Sequence, residues 1–82
     1  MILTIQDPEQ PLFFYMNERN EPPHIHARKG DTECKYWLHE DQFDIELVYA
    51  YNMTPALRRQ IRRIIFSNFD HIITEYQAIH GA

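Results

Sequence analysis

Cysteine, glycine and tryptophan are scarce in this chain, with one, two and one copies in 82 residues. The lone Cys34 excludes an internal disulfide framework and points to a reducing, cytoplasmic compartment. No apolar run approaches the roughly 18 residues of a membrane span, so no membrane partner is expected. The start, MILTIQDPEQ, lacks a basic stretch and a long apolar core, and does not read as a signal peptide. Repeats, linkers and low-complexity stretches are also missing. What is present is a globular composition, 44% apolar and 13% aromatic. The length suits one domain, 1–82. A domain this small buries only about 60–65% of its unfolded surface, so packing against a partner would add to a thin stability margin. The net charge of −4 argues against nucleic-acid binding by the whole surface. A local basic patch is nevertheless present, since Arg58, Arg59, Arg62 and Arg63 are close together in the chain.

The pattern predicts an α+β fold, an antiparallel four-stranded β-meander with one long C-terminal helix packed on one face. Residues 1–11 form an N-terminal arm or an optional edge strand. The meander runs over 12–51, with strands at 12–16, 24–28, 32–38 and 43–51. Polar residues and Pro22-Pro23 mark a loop over 17–23, and Lys29-Gly30-Asp31 marks a tight hairpin. Thr54 and Pro55 read as the N-cap and first position of a helix over 54–79, with Gly81 as its stop. Alternation places Ile25, Ala27, Cys34, Tyr36, Leu38, Phe43, Ile45, Leu47 and Tyr49 under that helix. His24, His26, Arg28, Glu33, Lys35, Trp37, Asp44, Glu46 and Val48 take the other face, expected to be open.

The stretch Glu21-Pro22-Pro23-His24-Ile25-His26-Ala27 carries the chemistry. Residues i and i+2 of a strand point the same way, about 6.5–7 Å apart. Three readings are open. The histidines can be a polar strand face, with Arg28 pairing Glu33 and Lys35 pairing Glu46. They can join Glu46 as a three-ligand site for a divalent metal. They can also act as acid and base in phosphodiester cleavage of RNA, with Arg28 and Lys35 stabilising phosphate charge. Spacing alone favours the plain strand face over either chemistry. On any of the three, His24→Ala and His26→Ala are expected to leave the fold intact, since neither side chain faces the helix.

Pro22-Pro23-His24-Ile25-His26-Ala27, preceded by a strand and a polar turn and followed by Gly30, resembles the P-P-H-x-H-A signature of a small bacterial domain of unknown function. The resemblance extends over about residues 12–77. It departs in Ala50-Tyr51-Asn52-Met53, where a glycine and a basic residue are more usual. Members are often encoded beside another small domain and are regarded as toxin–antitoxin components. The resemblance therefore implies a prokaryotic or phage cytoplasmic protein, with His24 and His26 as the signature residues. It implies no particular reaction.

The four arginines fall in the first turns of the helix, where positive charge opposes the helix dipole by about 0.3–1 kcal/mol per group. Pairing with Glu40, Asp41, Asp44 or a partner's acidic groups is one way to offset this, and phosphate binding is another. Leu57, Ile61, Ile64, Ile65 and Ile72 form a stripe that can cover the sheet. Phe66, Phe69, Ile73 and Tyr76 form a second, offset stripe. Either the helix breaks near Ser67-Asn68, or that stripe meets another chain; the regular spacing favours a homodimer or a small protein partner. The resulting expectation is a module of a toxin–antitoxin-like system acting through protein contacts. A ribonuclease and a metal-binding domain are its alternatives.

Overall fold

The computed structural model describes residues 2–5, 12–16 and 22–79. Residues 17–21 of the loop expected over 17–23, the segment 6–11 and the Gly81 stop lie outside the described residues. Five strands form one antiparallel sheet in sequence order: β1 (Ile2–Ile5), β2 (Leu12–Tyr15), β3 (His24–Lys29), β4 (Thr32–His39) and β5 (Asp44–Tyr51). The optional edge strand is thus formed, and it pairs with β2. The hairpin between β3 and β4 is closed by Gly30 and Asp31, with Gly30 at φ 57°, a value that glycine takes without steric penalty. Between β5 and the first helix Asn52 adopts φ 56°. Asparagine is among the few residues that tolerate this region. Its carbonyl accepts from the Thr32 hydroxyl, and its amide donates to the Asp31 carbonyl.

Two helices follow in place of one: α1 (Pro55–Ser67) and α2 (Phe69–Ile79). Thr54 caps α1 as expected, its hydroxyl accepting from the Leu57 N–H at 3.1 Å. The break falls at Asn68. Its backbone N–H is shared among carbonyls of the last turn, and its side-chain amide donates to the Ile64 carbonyl at 2.9 Å. A side chain that satisfies a helix-end carbonyl lets the chain change direction at small cost. The bend turns Phe69, Ile72 and Ile73 into the chain's own core.

That core joins Leu12, Phe14, Ile25, Ala27, Cys34, Tyr36, Leu38 and Ile45 of the sheet to Ile61, Ile65, Phe69, Ile72 and Ile73 of the helices. The first helical stripe covers the sheet as expected. Of the second stripe, Phe69 and Ile73 join this core and Phe66 packs against it, so the break at Asn68 is the option that the helix takes. Phe69 and Ile73 are buried and Phe66 and Tyr76 half-buried within one chain. Two face assignments also change. Phe43 is exposed, adopts φ 48° after the short turn Glu40–Gln42, and rests its ring on Phe66 and Phe69 at 5.5 and 4.8 Å. Tyr49 crosses to the histidine face because β5 bulges. Tyr36 lies opposite Leu47, but Lys35 lies opposite Tyr49, so Val48 has no counterpart. One extra residue reverses the alternation beyond it.

Candidate functional site

Register assembles the second face of the sheet as cross-strand rows. Tyr15, His26, Lys35 and Tyr49 make one row across β2 to β5. Phe13, Arg28, Glu33 and Tyr51 make the row beside it, and His24, Trp37 and Glu46 the row on the other side. The histidine pair therefore lies among aromatic rings. Tyr15 stacks on His26 at 4.9 Å and nearly parallel, and His24 meets His26 edge-on at 5.5 Å. His24 also meets the Trp37 ring edge-on at 6.0 Å. The Lys35 ammonium sits 4.5 Å from the centre of the Trp37 ring, a cation–π contact.

The local backbone explains the rigid entry to the pair. The Pro22 carbonyl accepts from His24 Nδ1 at 3.0 Å, which places a proton on that nitrogen. The Pro23 carbonyl accepts from the Leu38 N–H at 2.8 Å and extends the ladder between β3 and β4 by one bond. Proline lacks an N–H but keeps its carbonyl, so both residues contribute acceptors while fixing the approach. His26 Nδ1 lies 3.1 Å from the Tyr49 hydroxyl. The Tyr15 hydroxyl donates to Glu33 Oε1 at 2.7 Å. Burial, and next that hydrogen bond, push the Tyr15 phenol above its ordinary range.

This face is closed around the histidines and open at its margins. His24 is 0% exposed, His26 3% and Lys35 6%, while Arg28 is exposed. The expectation that the imidazoles stand in solvent is corrected, although the face to which they belong was read correctly. Half-buried Tyr15, Trp37 and Tyr49 form a second packed layer around them. The four proposed catalytic residues are brought together, with Arg28 beside the others on the sheet. A cleft of about 440 Å³ opens there, lined by Phe13, Tyr15, Arg28 and Gly30.

Glu46 does not complete a metal set. It is exposed, and its carboxylate lies 3.1 Å from His39 Nε2. Among the described residues no group of three His, Cys, Asp or Glu side chains is placed to hold a metal ion. The expected pairing of the helix arginines with Glu40, Asp41 or Asp44 is not made among the described residues. Arg58, Arg59 and Arg63 are exposed, and Arg62 lies 5.7 Å from the centre of the Phe66 ring. Arg58 and Arg59 border a cleft of about 420 Å³ with Leu47, Ala50 and Met53.

Sequence reasoning missed Tyr15 and Tyr49 as neighbours of the histidines. Tyr15 carried no signal beyond its place in an aromatic strand. Tyr49 was hidden by the bulge, since alternation through FDIELVYAY put it on the wrong side. Cys34 was read correctly as a small core residue; burial pushes its thiol up to about 11.

No curated protein and no solved structure is significantly similar to the chain. One family model matches residues 11–77, a span that holds β2 to β5, α1 and most of α2. The chain accordingly belongs to the family described as domain of unknown function DUF4160.

Proposed function

We propose that the chain is a protein-binding module of a two-component, toxin–antitoxin-like system, with a small protein encoded beside it as its partner. The observation that carries this reading over an enzymatic one is the burial of His24 and His26, at 0% and 3% exposure. A general acid or base must come within hydrogen-bond reach of the proton that it moves. Imidazoles packed among Tyr15, Trp37 and Tyr49 serve the sheet, holding a rigid face. The likeness of the Pro-Pro-His-Ile-His-Ala stretch to a family regarded as toxin–antitoxin components supports the pairing.

The test is co-expression with the product of the adjacent gene. A stable complex in sedimentation, with no RNA cleavage by the purified chain alone, is the expected outcome. Cleavage of RNA by the chain that is abolished by Arg28→Ala would replace this reading with the ribonuclease. Arg28 is exposed, so its loss should leave the fold intact.

A further inference from the structure

The sheet has two edges that differ in length. β1 at one end has four residues, whereas β5 at the other has eight. Among the described residues β5 pairs only with β4, which leaves its outer row of backbone N–H and C=O groups without a strand partner. Natural edges are commonly protected by proline, lysine or a bulge. The sequence DIELVYAY contains neither proline nor lysine; its protective features are the bulge at Val48 and the charged Asp44 and Glu46, which lie on the histidine side of the strand.

Positive charge borders this edge on its helix side. The cleft there has an apolar floor of Leu47, Ala50 and Met53, and Arg58 and Arg59 form its rim. The first turn of α1 contains no acidic residue, and the four arginines have no ion-pair partner among the described residues. An anion at this rim would relieve both the mutual repulsion of the arginines and their opposition to the helix dipole. We infer that an extended acidic segment of a partner protein adds to β5 as a sixth strand, with its carboxylates on Arg58 and Arg59.

The inference rests on the protein-binding reading above and gives the partner's chemistry. Main-chain bonds to β5 supply affinity, and alternate side chains of the segment fall over the cleft. A second copy of this chain fits less well. On the helix side β5 presents Ile45, Leu47 and Ala50, so a copy docked edge to edge brings no carboxylate to the arginines and brings a second arginine cluster towards the first. An extended polyanion such as RNA would meet Asp44 and Glu46 on the opposite side of the same strand.

The experiment uses the full chain and a fluorescein-labelled peptide of alternating valine and glutamate. Its controls are a lysine-for-glutamate twin and a labelled oligouridylate. The acidic peptide should raise anisotropy and slow hydrogen exchange at β5 amides. Arg58→Glu with Arg59→Glu should weaken binding at least about tenfold without lowering the melting temperature, as both side chains are exposed and acidic groups in the first turn suit the helix dipole. If the double variant does not fold, Arg59→Glu alone should show the same direction. No binding of the acidic peptide, equal binding of the lysine twin, tighter binding of oligouridylate, or a dimer formed through β5 would each overturn the inference. Failure of the peptide with intact capture of the adjacent-gene product would discard this surface and leave the binding-module reading standing.

Discussion

At the scale of single residues, the histidines behave as parts of a second core. The side chain of His24 bonds the Pro22 carbonyl, and that of His26 lies against the Tyr49 hydroxyl and under the Tyr15 ring. Removing either imidazole leaves a polar group without its partner and a gap among rings. His24→Ala and His26→Ala should each destabilise by about 1–3 kcal/mol in urea titration, and Tyr49→Phe by about 1 kcal/mol. Full stability of both alanine variants would show that the face is open in solution and return the imidazoles to catalysis. Cys34 gives a prediction of its own. Its thiol is raised from 9.0 to about 11 by burial, so between those values the native chain keeps a proton that the unfolded chain releases. Its share of stability is full below about pH 9 and is lost as pH rises towards about 11. Cys34→Ser should flatten the alkaline fall of the urea midpoint between pH ~8 and ~10.5. The phenols of Tyr15 and Tyr36, also raised mainly by burial, should keep part of that fall in place.

At the scale of elements, the decisive feature is the break at Asn68. A continuous helix would carry the stripe of Phe66, Phe69, Ile73 and Tyr76 away from the sheet and present it to a partner. The bend directs Phe69 and Ile73 inward instead, and Phe43 closes over Phe66 and Phe69 from the turn before β5. Phe69→Asp should therefore unfold the chain, with loss of the near-ultraviolet dichroism of its aromatic residues, and should not yield a folded monomer. Phe69→Ala should cost about 3–5 kcal/mol. A folded Phe69→Asp protein that sediments as a smaller species than the unsubstituted chain would restore the dimer seam. The strands were legible because alternation and turn residues are local signals, as were Thr54 and Pro55 at the start of α1. The break was legible only as one of two options, because a regular stripe satisfies a partner and a bent helix equally well.

At the scale of the molecule, helices cover one face of the sheet, while on the other face His24, His26 and Lys35 are buried and Phe13, Arg28, Val48 and Tyr51 are exposed; the Cα radius of gyration is 12.2 Å. Among the described residues no helix is long and apolar enough to cross a membrane. With Glu46 engaged by His39 and no three-ligand group among the described residues, zinc should leave the melting temperature unchanged, as should a chelator. A rise in melting temperature with one equivalent of zinc that is lost in His26→Ala would show a metal site instead.

The sequence by itself determined the order of the strands from β2 to β5 and the helical region after them, the helix-facing set from Ile25 to Ile45 apart from Phe43, the cap of α1, and the sharing of one strand face by His24, His26, Arg28 and Lys35. These follow from periods of two and 3.6 and from the backbone limits of proline and glycine, which act within a few residues. Only the tertiary structure decided that His24, His26 and Lys35 are buried, that Tyr49 belongs to their face, that Glu46 lies against His39, and that Phe69 and Ile73 of the second stripe are buried within the chain. Each of these depends on register, on a bulge or on a bend. Such features are set by the balance of packing across strands distant in sequence, and that balance leaves no trace in local spacing.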